Sequence, residues 1–215
     1  TENVKIDWIH DKAKTGSNKH APEVWKEWVE KGKIDRYSVW RSKIRSTESQ
    51  KPKGKYKELL DDIRGKLDGN KRERGKKLET LLKYTLEELK SFEKPSLTPD
   101  SGDRGVDLEG KINIFHEMEL TEVETSIKFK AQVKNKKGSV GGRELSRLAS
   151  RVEDGQIGIY FTTSYFTTAA QEENLSSYPV KLISGKELCI MLSQTDLTEN
   201  YTLNDDIIEE IEEQM

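Results

Sequence analysis

With a single cysteine, Cys189, in 215 residues, the chain cannot form an intramolecular disulfide, which fits a reducing cytoplasm. Its three histidines, His10, His20 and His116, combined with that one cysteine do not make a zinc spacing. There is no apolar run of membrane-spanning length and no signal-peptide pattern. Ser164, Thr162 and Thr163 have no His/Asp partner that would complete a hydrolase triad. Net charge is also small, −2, but it conceals an asymmetry. Residues 1–94 carry 25 Lys+Arg against 17 Asp+Glu, a balance of +8, and residues 95–215 carry 12 against 22, a balance of −10. A basic N-terminal part suits a polyanion, and equally a set of Lys-rich solvated helices. Charged residues reach 35% and hydrophobic residues 33%, giving a well-hydrated surface around enough apolar material for a core.

The most organised stretch runs from Gly102 to Asn135. Asp107 is flanked by Val106 and Leu108, so on a strand its carboxylate points away from the apolar face. Further on, Ile127, Phe129, Ala131 and Val133 alternate with Lys128, Lys130, Gln132 and Lys134. That period of two places Gln132 and Lys134 together on one face. Residues 111–120 alternate as well, and TEVETS connects them to the second run, so the two pair as a hairpin or meander. The 25-residue step from Asp107 to Gln132 can then bring both to neighbouring strands. An acid beside an amide-x-lysine pair, at strand ends and facing outward, makes a seat for a divalent metal and the water it activates.

From about Lys71 to Gln194 the chain resembles the Mrr-like branch of the PD-(D/E)xK nuclease superfamily. The resemblance rests on Glu79 in the helical GKKLETLLKYTLEEL, on Asp107 after the GDRGVD turn, on Gln132 and Lys134 in the QxK strand, and on IGIYFTTSYFTTAA followed by VKLISGKELCIML. It implies an α/β fold with a restriction-endonuclease-like core: a mixed central sheet flanked by helices, with an N-terminal helical subdomain. It implies a Mg²⁺-dependent DNA endonuclease, with Mn²⁺ able to substitute. Asp107, Gln132, the Val133 carbonyl and Glu79 would be its metal ligands, and Lys134 would sit by the attacking water. Glu79 also reads as an ordinary helix-surface acid. The expected product ends are 5′-phosphate and 3′-hydroxyl, the location is a prokaryotic cytoplasm, and the partner is double-stranded DNA with no membrane. Cutting both strands requires two sites, hence a homodimer or a higher assembly on DNA. A restriction enzyme is the leading reading. The alternatives are a repair or junction nuclease, an RNA nuclease, and a non-catalytic DNA-binding or assembly module on a degenerate nuclease fold. Gln132 in place of a carboxylate motivates the last of these. Pro99-Asp100 spells the motif's "PD" but lies in the loop KPSLTPDSGDRG, so Asp107 is preferred, with Asp103 and Arg104 behind it.

Three regions follow: 1–70, helical and basic, for DNA recognition; 71–197, the nuclease domain; and 198–215, an acidic helix or tail that packs through Ile207, Ile208 and Ile211 or frays. In the first region, Val24, Trp25, Trp28 and Val29 form a helical stripe ended by Gly32, and a second helix starts near Asp35. The pair reads as a helix-turn-helix with Arg36, Arg41, Lys43 and Arg45 on DNA, or as a small Trp-centred core. Residues 46–57 read as a linker or DNA-facing loop. A long helix is expected from about Gly75 to Phe92. Lys136 and Lys137 in NKKGSVGG, and Arg143 and Arg147 on the following helix, are placed for phosphate contact or simply for solvent.

Overall fold

The alternation in SIKFKAQVK builds the central strand of the sheet, as seen in a computed structural model that describes residues 44–99, 105–113, 126–177 and 180–215. Five strands lie side by side in the order β1 (Phe92–Leu97), β2 (Leu108–Asn113), β3 (Ser126–Lys134), β4 (Ile157–Thr162) and β5 (Val180–Ile183). β1, β2 and β3 run antiparallel, while β3, β4 and β5 are parallel. The sheet is therefore mixed. The expected hairpin is its antiparallel half, registered from Leu108 opposite Ala131 to Asn113 opposite Ser126. The parallel half needs crossovers, and helices supply them.

Those helices are α1 (Thr47–Gln50), α2 (Lys55–Lys66), α3 (Lys71–Glu88), α4 (Gly142–Ala149), α5 (Thr168–Ser177), α6 (Gly185–Leu192) and α7 (Asp205–Glu213). A short hairpin, β6 (Thr198–Glu199) with β7 (Thr202–Leu203), precedes α7. Phe129, Ala131, Val133, Ile159 and Phe161 on one face of the sheet pack with Leu59 and Ile63 of α2, Leu78, Leu81, Leu82 and Leu86 of α3, Leu188 and Cys189 of α6, and Ile211 of α7. Tyr160, Val180 and Leu182 on the other face pack with Leu145 and Leu148 of α4 and Ala170 of α5. Each fully buried leucine contributes about 1.5–3 kcal/mol, so both faces are held by burial. Among the described residues no helix is long and apolar enough to cross a membrane.

Several expectations needed correcting. α3 starts at Lys71, not near Gly75, because Asn70 and Glu73 form a capping box: Asn70 Oδ1 accepts the Glu73 N–H (3.1 Å) and Glu73 Oε2 accepts the Asn70 N–H (2.8 Å). That pair is worth about 1 kcal/mol. α3 also ends at Glu88, before Phe92. FEKPSL, read partly as loop, is the edge strand β1. Pro95 is tolerated there because an edge strand has an unpaired side, and the register slips between Glu93 and Ser96 where Lys94 takes φ +49°. The 46–57 linker contains α1 and the start of α2. α2 brings Leu59, Leu60, Ile63 and Leu67 into the same core as residues 71–197. The acidic tail, read as packing or fraying, takes the first of these: Ile207 and Ile211 are buried, Lys66 pairs with Asp205 (2.7 Å) and Lys77 with Glu212 (3.1 Å). Residues 1–43, including Arg36, Arg41, Lys43 and the helix-turn-helix reading, lie outside the described residues, as do Asp100, Asp103, Arg104 and residues 114–125.

Candidate active site

Asp107 stands where the chain enters β2. Its own N–H donates to the Ala131 carbonyl (2.7 Å), and the ladder of β2 against β3 begins at the next residue. Beyond that point the β3 backbone is met by a side chain instead of a strand. The Val133 N–H donates to Asp107 Oδ2 at 2.7 Å. Lys134, the last residue of β3, brings its Nζ to 3.6 Å from the same oxygen. Asp107 and Lys134 therefore meet at the C-terminal end of the central strand. Both contacts fall on Oδ2.

Glu79 comes from α3. The leucine stripe on either side of it presses the helix onto the sheet, and that pressure buries Glu79 to 8% exposure. Lys76, one turn earlier, pairs with it at 3.2 Å. Burial, then the negative field of Asp107, pushes the Glu79 carboxyl above the usual carboxylate range, while Lys76 and Lys134 pull the other way. The fields of Asp107 and Lys134 at Glu79 place all three charged groups in one neighbourhood. Gln132 shares the Lys134 face of β3 and is 3% exposed. Its neighbour across the parallel ladder is Tyr160, whose buried hydroxyl has no partner among the described residues. Burial, then the charges of Glu144 and Asp107, raises that phenol too.

Gly105, just ahead of Asp107, has φ +114°, and a Cβ there would sit 3.0 Å from Arg147 Cδ and 3.2 Å from Gln132 Nε2. The turn thus lets the Gln132 amide and the Arg147 stem close in beside Asp107. Gly105→Ala is expected to cost about 1–3 kcal/mol from backbone strain alone, read as a lowered Tm. An unchanged Tm would mean that the turn relaxes freely.

Sequence reasoning missed the supports. Thr162 lies across the ladder from Lys134, and its hydroxyl donates to the Lys134 carbonyl (3.2 Å). Thr163 Oγ1 accepts the Lys136 N–H (2.9 Å), and Ser164 Oγ donates to the Gly138 carbonyl (2.6 Å). The TTS triplet that failed as a triad is thus a clasp on the loop after the QxK strand. Only the parallel pairing of β3 with β4, which is not written in either segment, reveals it. Asn135 is held to the same clasp.

The residues expected on phosphate fare differently. Lys136 Nζ is engaged by both Glu144 oxygens, at 3.2 and 3.0 Å. Lys137 in the β3–α4 connection and Arg143 and Arg147 on α4 are exposed. Arg45 is used within the fold: its guanidinium pairs with Glu187 of α6 and donates to the Leu182 carbonyl of β5 (3.2 Å), and its N–H donates to Gln171 of α5 (2.9 Å). The structure therefore brings together Asp107, Glu79, Gln132 and Lys134, with Val133 between the last two, and leaves Arg45 apart.

Among the described residues no group of three or more His, Cys, Asp and Glu side chains converges as a metal cage. Asp107, Glu79, the Gln132 amide oxygen and the Val133 carbonyl would instead offer a hard-oxygen set. That set fits Mg²⁺, which is commonly held by one or two carboxylates plus waters, and does not fit zinc. Burial, then the field of Asp107, raises the Glu79 carboxyl, and a cation held by both acids would offset that cost. A separate, mostly apolar cavity of about 800 Å³ is walled by Leu89, Phe92, Ile112, Ile157 and Met191 among others.

A family model described as restriction endonuclease, the Mrr catalytic domain, matches residues 71–192. Two solved structures resemble the chain. One, the MspJI restriction endonuclease in complex with a 27-mer oligonucleotide, is 27% identical, with a TM-score of 0.65 over 90% of this chain and 44% of the other. The other, the DNA modification-dependent restriction endonuclease AspBHI, is 22% identical, with a TM-score of 0.62 over 93% of this chain and 51% of the other. The chain spans about half the length of these proteins. No curated protein matches it.

Proposed function

The chain belongs to the Mrr-type restriction endonuclease family, and from that membership and the site's geometry we propose that it is a Mg²⁺-dependent endonuclease that hydrolyses phosphodiester bonds in double-stranded DNA as a restriction enzyme. The observation that carries this is the meeting of Asp107 and Lys134 at the end of β3, with Glu79 buried within their field. Asp107, Glu79, the Gln132 amide oxygen and the Val133 carbonyl would hold the ion, Mg²⁺ or Mn²⁺. When bound, the ion would polarise a phosphoryl oxygen and make a coordinated water acidic enough to attack.

The protein's own groups do the rest. The Lys134 ammonium, next to the acid, orients the attacking water and offsets charge building on the phosphate. The Val133 N–H fixes the Asp107 carboxylate, so it is in place before substrate arrives. The Thr162–Ser164 clasp holds the loop that follows Lys134. Water adds to phosphorus and gives up a proton to solvent, the P–O3′ bond breaks, the 3′ oxygen takes up a proton from solvent, and the ends are 5′-phosphate and 3′-hydroxyl. Lys137, Arg143 and Arg147 are the exposed cations for the flanking backbone, with Arg36, Arg41 and Lys43 of the N-terminal region as the recognition element. Cutting both strands takes two copies, and the setting is the cytoplasm. The oligonucleotide bound by MspJI supports a nucleic-acid substrate.

The test is supercoiled plasmid incubated with the purified chain and Mg²⁺ or Mn²⁺, with a chelator control, an RNA substrate in parallel, and Lys134→Ala alongside. Nicked and linear plasmid that needs the ion and is lost in the variant supports the reading. No cleavage with either ion leaves a degenerate binding module, and cleavage of RNA alone moves the substrate class.

A further inference from the structure

A cavity of about 190 Å³ lies beside the catalytic edge, walled by Lys51, Lys57, Asp61, Arg64, Lys137 and Tyr165 among others. Four cations face one carboxylate. Lys57, Asp61 and Arg64 recur at helical spacing, so they share one side of α2 while Leu59 and Ile63 hold its other side in the core. α2 is thus a packing helix with a charged outer face turned to this cavity.

The cationic wall is already arranged. Arg64 donates to the carbonyls of Thr163 (2.8 Å) and Lys136 (3.4 Å), the two ends of the loop clasp, so its rotamer is fixed on folding. Lys51 is steadied by Glu48 (2.9 Å) and lies 5.1 Å over the Tyr165 ring. Lys57 and Lys137 are exposed. The Tyr165 ring, with Pro52 and Leu60, adds an apolar wall. Cations on the rim of an apolar wall suit a sugar-phosphate: ring against sugar, ammonium and guanidinium groups against the phosphodiester.

Position gives the pocket its meaning. Lys137 is three residues past Lys134, a reach of roughly 10 Å at full extension. One strand of B-DNA carries a phosphate about every 3.4 Å of axis. A strand with its scissile phosphate at Lys134 therefore has another within about three nucleotides of this cavity.

We propose that this cavity seats a backbone phosphodiester of the cut strand, a few nucleotides from the scissile bond, through Lys57, Arg64 and Lys137. The assignment rests on the endonuclease reading above. It makes α2 a direct DNA-binding element and gives the strand a fixed anchor on one side of the cut.

The experiment uses the full chain carrying Asp107→Asn, so that bound duplex is not consumed, and measures DNA affinity against salt concentration. The double variant Lys57→Gln/Lys137→Gln is compared with Lys181→Gln, a charge removed from the exposed side of β5 at the far end of the sheet. The double variant is expected to lower the log–log salt slope by about 0.9 for each phosphate it no longer neutralises, so by about one at least. Lys181→Gln is expected to leave it unchanged. An unchanged slope in the double variant, or an equal fall in both, overturns the seat. Inorganic phosphate at constant ionic strength is the third arm. If it displaces DNA from the parent but not from the double variant, strand and phosphate compete for the cavity and the seat stands; if it binds the parent but not the double variant and leaves DNA in place, the cavity is a site for free phosphate and the strand assignment falls. If the parent binds no duplex at any salt, the endonuclease reading fails and takes the seat with it. Duplex binding with an unaltered slope removes the seat alone.

Discussion

Asp107→Asn is expected to lower cleavage by about 10²–10³-fold or more while duplex binding is kept. Asparagine is the informative substitution because of what the aspartate does for the backbone. Its Oδ2 accepts the Val133 N–H at the end of β3, and an asparagine carbonyl oxygen can accept the same bond. Asp107→Ala would orphan that N–H and cost about 1–3 kcal/mol in stability, mixing a structural loss with a chemical one. With asparagine the strand end is preserved, and what disappears is the charge that faces Lys134 at 3.6 Å and would face the metal. Single-turnover cleavage at saturating enzyme, read beside Tm, separates the two effects. Cleavage within about threefold of the parent, at matched folding, would remove Asp107 from the chemistry.

The second large effect is expected at Glu79, where stability and function should move in opposite directions. Burial and the neighbouring Asp107 raise its carboxyl pKa in the folded chain. A raised acid is favoured by folding in its protonated form. Well below its unfolded value of 4.5 both states are protonated and nothing is lost. As pH rises through the raised folded value, the buried group must ionise and stability falls. Glu79→Gln removes that cost. At neutral pH and without divalent ions it should stabilise the chain by on the order of 1 kcal/mol, or roughly 2–4 °C in Tm for a chain of this size. The gain should vanish near pH 4. An ion bound as proposed would relieve the same repulsion in the parent, so Mg²⁺ should raise the parent's Tm, and the rise should be smaller in Glu79→Gln. Thermal melts at two pH values, with and without Mg²⁺, give all four comparisons. A variant that melts lower at pH 7 yet keeps the full response to the ion would return Glu79 to an ordinary surface acid.

The site was legible where local pattern and site geometry coincide. The period of two in IKFKAQVK places Gln132 and Lys134 on one face in sequence and in structure, and Val106-Asp107-Leu108 marks a strand entry in both. The helices around the core announce themselves through leucine stripes. What remained hidden depends on partners distant in sequence. That β4 lies parallel to β3, with Thr162 across from Lys134, is not encoded in either segment alone. Pro95 and the positive φ of Lys94 disguised β1, because an edge strand with a slipped register obeys turn chemistry locally. Arg45 read as a DNA contact since nothing in its neighbours shows that Glu187 awaits it on α6. Glu79 reads in sequence both as a surface acid and as a ligand, and only packing of α3 onto the sheet shows it buried.

The chain's lone thiol has a consequence of its own. Cys189 is fully enclosed in α6, and burial pushes its pKa up to about 12. At neutral pH it is a thiol with no route to solvent, so it neither alkylates nor pairs while the fold is intact. Oxidative crosslinking between copies therefore requires prior unfolding. Reducing agents can be omitted from any assay in which they would compete for manganese, and a cysteine placed elsewhere would carry a label without rivalry from the native one.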